Sequence, residues 1–472
     1  MDFKERSWYP WVIFAIVTTG TFMVNVDMSV LNVALPTLQA AFQTSLETLS
    51  WVLVGYLMII TGVLPIIGKL SDVYGRKPFF IAGVLIFGGF SALAAIAQSL
   101  SALIVYRLAM GIGSALIQAN VMSIVADSFP PGRRGRPLGM IGSVVAIGTI
   151  VGPAIGGLLL HYFGWPSIFW LNVPFSVAAA LGAFFLLERR VPERKGDRPI
   201  DVVGAVYFMI SVAALMQWMN GLNRYAFLDS PSLAAFGLFA VFFALYIVRS
   251  VRVAEPLIHL ALFRIRTFAV GNTTGLVSYI LIAVPQIVLP FYLHIVHELT
   301  SDRVGLVIAA QAAAMILASP ISGWMTDRLG TRTPSLIGLA LAAFALLWLA
   351  AIGQDTPVSI ATAGLAFFGV GMAFFQAPNN VAVLESVPKE QTGLTGGIIA
   401  TVRNLGRVLG VALASLLFER AGGGLSAATA IRGVRVTMLT AFGLALFALL
   451  LTYWGGRQGE ATAAVRASLR GR

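Results

Sequence analysis

The chain has no cysteine among its 472 residues, so it can form neither a disulfide framework nor a thiolate metal site. Charge is also scarce: Asp, Glu, Lys and Arg make up 11% of the residues, whereas a soluble domain carries about 25%. Hydrophobic residues reach 58%, so most of the chain is expected to lie in lipid. The histidines His294 and His297 beside Glu298 have a helical spacing, but at a helix end they favour a surface cluster, and no metal site is predicted.

Long apolar runs are what the sequence has instead. Fourteen stretches are long enough, at about 20 residues each, to cross a bilayer as helices. The predicted class is therefore an all-α polytopic membrane protein. The stretches are 11–35, 47–67, 79–98, 101–125, 138–161, 167–187, 201–219, 233–251, 267–292, 304–322, 334–352, 358–383, 393–418 and 435–454.

Positive charge follows the loops between these stretches. One alternate set of loops, with both termini, holds 24 of the 32 Lys and Arg residues, and the opposite set holds five. Because positive loops stay on the cytoplasmic side, both termini are expected to be cytoplasmic, in a plasma (inner) membrane crossed many times. The net charge of +12 is spread along the chain, which argues against a nucleic-acid partner.

Two charged loops repeat at a fixed distance. The segment Gly68–Lys77 (GKLSDVYGRK) has an echo at Gly323–Arg332 (GWMTDRLGTR), with Gly68, Asp72 and Gly75 each matched 255 positions later. Paired loops between apolar runs indicate a duplicated membrane protein. A six-helix half needs about 200 residues, so the surplus predicts a helical hairpin near 201–251 between two halves. The predicted domains are a six-helix bundle (1–190), a linker and two-helix insert (191–255), a second six-helix bundle (256–456) and a cytoplasmic tail (457–472).

One acidic residue lies well inside a span, and it has a basic counterpart. Asp27 in the first span and Arg107 in the fourth both fall in the outer half of their helices and could meet. A charge at the bilayer centre costs about 2.5–3.5 kcal/mol on insertion scales, so it marks function by default. Burial favours a neutral carboxyl and a guanidinium favours a charged one, which together suit proton coupling. The alternative is a static ion pair that joins two helices.

Glycines four residues apart mark the fifth span. Such a face lets a neighbouring helix approach closely, and a proline bends the helix beside it. Ordinary close packing would explain the glycines alone, but it explains the Gly-Pro step less well. The residues are Gly148, Gly152, Pro153, Gly156 and Gly157.

Taken together, these motifs make the chain similar to the major facilitator superfamily, within its fourteen-helix drug:proton antiporter branch (the multidrug and quaternary-ammonium exporter type). Gly68–Lys77 resembles the superfamily's loop signature, and the Gly148–Gly157 run resembles the motif of its proton-driven exporters. Asp27–Pro36 and Leu103–Ala115 resemble the branch's signatures in helices 1 and 4, although Met110 replaces the usual glutamine. The resemblance implies the major facilitator fold, with two six-helix bundles, and export of amphiphilic, drug-like compounds in exchange for protons.

The resemblance also implies a cytoplasmic gate. In the family, basic residues of the signature loop pair with an acid at the inner end of a neighbouring helix while that side is closed. Arg76 or Lys77 would pair with Asp127, and Arg332 would pair with Glu385, which lies 258 positions after Asp127. The full set of gate residues is Gly68, Asp72, Gly75, Arg76, Lys77, Asp127, Asp327, Arg332 and Glu385.

The remaining polar residues in spans are candidates for a substrate cavity. Arg403 and Arg407 lie four residues apart in the span 393–418, which is the eleventh when the two spans of the insert are not counted, so they share one face of its helix. They either line the cavity or extend toward the cytoplasmic membrane surface. The other candidates, each of which could instead bond neighbouring helices, are Asn32, Gln118, Asn120 and Gln286.

The predicted function is secondary active transport by alternating access, with the proton as coupling ion and no cofactor. An alternative is an exporter or flippase for a lipid or an anionic metabolite, because the cavity offers few acids for cationic drugs. A membrane enzyme is disfavoured because no catalytic cluster is present, and a channel because no filter-like repeat is present. The expected partners are a small amphiphilic substrate and the bilayer, with a monomeric chain and an adaptor or outer-membrane partner possible.

Overall fold

The structure, a computed structural model, describes residues 8–44, 46–130, 133–188, 201–221, 229–253, 255–388, 391–422 and 426–455. Within these residues, fourteen helical segments are long and apolar enough to cross a membrane. The prediction of an all-α polytopic protein with fourteen spans is therefore confirmed. The proposed linker within 189–200 and the tail from 457 lie outside the described residues.

The first half contains six spans. The sixth is formed by two helical segments joined at Leu171, whose backbone stays in the right-handed helical region. The helices are α1 (Tyr9–Phe42), α2 (Leu46–Tyr74), α3 (Arg76–Ala95), α4 (Leu100–Ser128), α5 (Gly135–Phe163), α6 (Pro166–Trp170) and α7 (Asn172–Leu186).

The insert and the second half follow in the predicted order. A 3-10 turn at Leu260–Arg264 leads from the insert into the second half. The insert consists of α8 (Val202–Gly221) and α9 (Ser230–Arg252). The second half consists of α10 (Arg266–His297), α11 (Ser301–Leu329), α12 (Arg332–Ala350), α13 (Val358–Glu385), α14 (Thr392–Arg420) and α15 (Ala427–Gly455).

Helix packing repeats between the halves. The pairs α1–α5 and α3–α4 of the first half correspond to α10–α14 and α12–α13 of the second. Two helix pairs join the halves: α2 of the first half packs against α14 of the second, and α5 of the first packs against α11 of the second. We call each of these pairs a seam. The insert lies beside one seam: α8 contacts α2 and α14, while α9 packs on α8 and leaves most of its surface outside the protein.

Among the described residues, the buried apolar core that joins the halves is concentrated toward one end. We call this end, which carries Gly68–Lys77 and Gly323–Arg332, the loop end. One buried cluster combines the first half with residues of α13 and α14 near the loop end, including Val383 and Ile398, whereas a second cluster lies within the second half. The two halves are thus packed together at the loop end.

Candidate functional site

The repeated loop motif brings the halves into contact through its glycines. Gly75 and Gly330 have φ of 93° and 76°, values that residues with a Cβ rarely adopt, and each makes the turn between two helices. Gly323 lies so close to α5 that a Cβ there would come within 2.5 Å of the Gly135 carbonyl oxygen. Gly68 approaches the start of α14 in the same way, with a Cβ 2.9 Å from the Leu394 Cα.

The motif aspartates cap helices of the opposite half. Asp72 accepts hydrogen bonds from the backbone N–H groups of Gly393 and Leu394, both at 2.8 Å. Asp327 accepts from those of Gly135 and Arg136, at 2.7 and 3.1 Å. The first turn of a helix has free N–H groups and a partial positive charge, so a carboxylate stabilises it. Each aspartate therefore holds the partner half at the loop end.

Arg76 extends the first of these contacts. Its guanidinium donates to Asp127, forming one of the two ion pairs that the family resemblance implies, and to Asp72 at 3.0 Å. It also donates to the Thr392 hydroxyl of the opposite half at 2.5 Å. Lys77 instead donates to the carbonyl oxygens of Phe184 and Leu187 in the first half, so of these two basic residues Arg76 is the one that pairs with Asp127.

The corresponding contact in the second half differs from the prediction. Arg332 donates to the Tyr453 carbonyl oxygen at 3.1 Å and lies over the Tyr453 ring. The predicted contact between Arg332 and Glu385 is therefore not formed in this conformation. The reason is positional: Arg332 begins α12, which packs against α15, and carbonyl oxygens at the end of a helix attract a cation.

Asp27 and Arg107 form a buried ion pair. Arg107 Nη1 lies 2.7 Å from Asp27 Oδ2, and the two side chains are 3% (Asp27) and 0% (Arg107) exposed. Asn172 donates to the other carboxylate oxygen at 2.9 Å. The Arg107 guanidinium lies 4.2 Å from the centre of the Tyr56 ring, a cation–π contact that is strongest away from water.

Polar contacts continue from this pair to the second half. The Tyr56 hydroxyl donates to the Ser114 hydroxyl at 3.0 Å, and the Gln118 amide donates to the same oxygen at 3.1 Å. The Gln118 carbonyl oxygen then accepts a hydrogen bond from Arg403 on α14. A series of touching side chains therefore connects the buried ion pair to an arginine of the opposite half.

Arg403 and Arg407 lie near the middle of α14, one turn apart on the same side. Arg403 is 11 residues, or about 16 Å at 1.5 Å per residue, from the start of the helix. Both side chains are half-buried at this position. Such placement fits side chains that line an interior cavity, as one alternative from the sequence predicts.

The glycine stripe of α5 faces α1 beside Asp27. A Cβ at Gly148 would lie 3.0 Å from the Asn25 Cβ, and one at Gly156 would lie 3.0 Å from the Val30 side chain. A Cβ at Gly157 would have no atom within 4 Å, and Pro153 is exposed, so both residues point away from this contact. The stripe thus lets α5 pack closely on the segment of α1 that carries the carboxylate.

The other cavity candidates are placed differently. Asn120 is fully buried and donates to the Leu116 carbonyl oxygen of its own helix, so it packs between helices in this conformation. Gln286 is exposed, and the side chain of Asn32 lies outside the described residues. Among the side chains that the structure describes, no group of His, Asp or Glu has the geometry of a metal site.

Several important groups are missing from the sequence-based prediction. Asn172 and Tyr56 contact the ion pair, yet each is a single polar or aromatic residue in an apolar run and carries no spacing signal. The peptide N–H partners of Asp72 and Asp327 have no side chain to reveal them. A faint signal does exist: Gly135 and Gly393 are 258 residues apart, the same separation as Asp127 and Glu385.

Comparison with known proteins agrees with this architecture. The profile of the family described as Major Facilitator Superfamily matches residues 17–292 and 267–468. The chain is 32% identical over 412 residues to riboflavin transporter RibZ of Clostridioides difficile, covering 87% of this chain and 88% of that one. It is 29% identical to the tetracenomycin C resistance and export protein of Streptomyces glaucescens, with 86% and 76% covered. It is 28% identical to multidrug resistance protein Stp of Mycobacterium tuberculosis, with 84% and 73% covered.

Solved structures show the same fold. The human organic anion transporter MFSD10 matches with a TM-score of 0.64 at 18% sequence identity, covering 94% of this chain and 99% of that one. The proton:xylose symporter XylE also matches with a TM-score of 0.64, at 14% identity, covering 95% and 96%. At these identities the comparison concerns the fold alone.

Proposed function

The chain belongs to the major facilitator superfamily and is a transporter, and from this premise we propose that it exports amphiphilic small molecules in exchange for protons. The observation that carries the proposal is the buried Asp27–Arg107 pair. A carboxylate enclosed within a transmembrane bundle is costly, and protonation would remove its attraction to Arg107. A proton can therefore change which arrangement of α1 and α4 is stable.

The closed loop end supplies the second requirement for exchange. Asp72 and Asp327 hold the two halves together there, while the ion pair lies farther from the loop end, near the other side of the bundle. Since positive loops favour the cytoplasm, we assign the loop end to the cytoplasmic side of the plasma (inner) membrane, with both termini there. This arrangement corresponds to a transporter closed toward the cytoplasm, which would receive protons from outside.

The relatives support export as the direction. One of them is named for tetracenomycin C resistance and export, one for multidrug resistance, and another as a riboflavin transporter. One observation favours the alternative substrate class, a lipid or an anionic metabolite: Arg403 and Arg407 have no acidic partner among the described residues. The chain needs no cofactor in this mechanism and works as a monomer in the bilayer, with an adaptor or outer-membrane protein as an optional partner.

Vesicles containing the purified protein test the proposal. Vesicles with an acidic lumen should accumulate riboflavin or the cationic dye rhodamine 123, because protons leaving the lumen would drive entry of the compound. Neither compound is a weak base that a pH gradient would trap by itself. In the Asp27→Asn variant the rate of this gradient-driven uptake should fall at least about tenfold, which corresponds to a barrier difference of about 1.4 kcal/mol. The variant should still exchange labelled for unlabelled compound.

Asp201→Asn is a matched control. Asp201 pairs with Arg249 at 2.6 Å and is also buried, but it lies in the two-helix insert. This variant should retain gradient-driven uptake. If Asp27→Asn accumulates both compounds as well as the parent protein, proton coupling through Asp27 is wrong.

A further inference from the structure

Arg403 and Arg407 place two positive charges in the interior of the transmembrane bundle. They are four residues apart on α14, a spacing at which like charges on a helix repel each other. Buried cations in membrane proteins are usually paired with an acid or face a water-filled cavity. Neither arginine forms an ion pair with an acidic side chain of the described residues, so the bundle contains a concentrated positive charge that an anion could neutralise.

The present partner of Arg403 is a neutral group. The guanidinium donates to the Gln118 side-chain oxygen on α4 of the opposite half, and Arg407 has no hydrogen bond to the described residues. A carboxylate or phosphate is a stronger acceptor for a guanidinium than an amide, and it can bond two N–H groups at once. An anion that reached this position would therefore replace Gln118.

We propose that Arg403 and Arg407 bind an anionic group, a carboxylate or a phosphate, of the transported compound, and that this group displaces Gln118 from Arg403. The inference rests on the proposed function, because it names the substrate class for that same cavity. Displacement has a structural consequence across the halves. Gln118 also donates to Ser114, which accepts from Tyr56 next to Arg107, so substrate binding would alter the contacts that support the buried ion pair.

Pairs of compounds that share a ring system and differ in charge provide the probes. Riboflavin is neutral and riboflavin 5′-phosphate is anionic, while rhodamine 123 is cationic and fluorescein is anionic. The dissociation constants of all four would be measured by fluorescence with purified protein in detergent at low salt. In the parent protein the dissociation constant of each anion should be at least about tenfold lower than that of its matched compound. Hydrogen bonds to charged groups are stronger than those between neutral groups.

Three variants change the charge of the site, and a fourth keeps the charge but changes its geometry. Arg403→Gln and Arg407→Gln each remove one charge, and Gln118→Glu places a fixed carboxylate beside Arg403. These three variants should raise the dissociation constants of the two anions by about tenfold. They should change the dissociation constants of riboflavin and rhodamine 123 by less than about twofold. Arg403→Lys keeps the charge but not the two-pronged geometry, so it should retain part of the anion affinity.

Arg420→Gln is the control, because it removes the same charge from an exposed position at the end of the same helix. It should leave all four dissociation constants unchanged, and each variant should elute as a single species with an unfolding temperature near that of the parent. Anion affinities that are unchanged in the Arg403 and Gln118 variants, or a parent protein that does not prefer the anions, would overturn the inference.

The vesicle assay separates this result from the proposed function. If riboflavin uptake follows the pH gradient and depends on Asp27 while the arginine variants bind as the parent does, the anion site is wrong and proton exchange stands. If binding of the anions requires Arg403 but uptake of no compound follows the pH gradient, the anion site stands and proton exchange is wrong.

Discussion

Tyr56 is the residue at which the buried charges and the polar contacts toward the second half meet. Its ring lies against Arg107, and its hydroxyl donates to Ser114. Two substitutions separate these roles. Tyr56→Phe keeps the ring and removes the hydrogen bond, whereas Tyr56→Leu removes both.

We expect Tyr56→Leu to lower the free energy of unfolding by about 2 kcal/mol more than Tyr56→Phe, because a desolvated cation–π contact contributes about that much. Unfolding of the two purified variants and the parent in the same detergent would be compared by a denaturant titration. Equal losses in the two variants would show that the ring contributes nothing beyond the hydroxyl bond.

At the scale of single helices, the packing of α5 on α1 is the feature with the clearest consequence. The face of α5 that includes Gly152 contacts α1 near Ser29 and Val26, next to the helical turn of Asp27. A side chain there would push α1 away or distort α5, since interiors of packed helices leave no space for added atoms. The helix pair therefore depends on the absence of side chains at these positions.

Gly152→Val should destabilise the protein by about 1–3 kcal/mol and reduce transport, because α1 carries the proposed proton-binding carboxylate. Gly157→Val, in the same helix, is the matched control: a Cβ there meets nothing within 4 Å, so its effect should be within about 0.5 kcal/mol. Thermal unfolding and vesicle uptake of both variants would be measured together. A similar loss at the two positions would contradict the assigned role of the stripe.

For the whole molecule, the symmetric caps at the loop end are the contacts expected to favour closure on that side. Asp72 and Asp327 hold one seam each, and both act on the first turn of a helix in the opposite half. A carboxylate at such a position contributes about 0.3–1 kcal/mol, and up to about 2 when partly buried. Two caps together can therefore shift an equilibrium between open and closed states by about tenfold or more.

The double variant Asp72→Asn with Asp327→Asn should open the loop end in a larger fraction of molecules than either single variant. Because the chain has no cysteine, a reporter pair can be introduced without interference. Gly142→Cys and Ser319→Cys suit this purpose, since a Cβ at Gly142 would lie 3.5 Å from the Ser319 hydroxyl, which places the two side chains in contact across the seam between α5 and α11. The yield of crosslink should fall in the order parent, single variants, double variant.

Asp355→Asn controls for loss of an acid elsewhere, because Asp355 is exposed between α12 and α13 at the opposite end. Its crosslink yield should equal that of the parent. A double variant that crosslinks as fully as the parent would show that the caps do not hold the closed state.

The fourteen spans, the duplication and the acid and base within the spans are visible in the amino-acid sequence. Hydropathy is a local property that the bilayer enforces on each helix separately, so these features can be predicted from the chain alone. The same reasoning placed Asp27 and Arg107 at similar depth, and the two residues are in contact. The Arg76–Asp127 contact, which the family resemblance implied, is also present.

The contacts between the two halves, by contrast, become visible only in the folded structure. Asp72 contacts backbone groups of α14, Arg332 contacts Tyr453 rather than Glu385, and Gln118 contacts Arg403. These contacts depend on how each helix is rotated about its axis and on which end of the bundle is closed. Rotation and closure follow from the packing of small residues between helices, and that packing exists only when both halves are folded together.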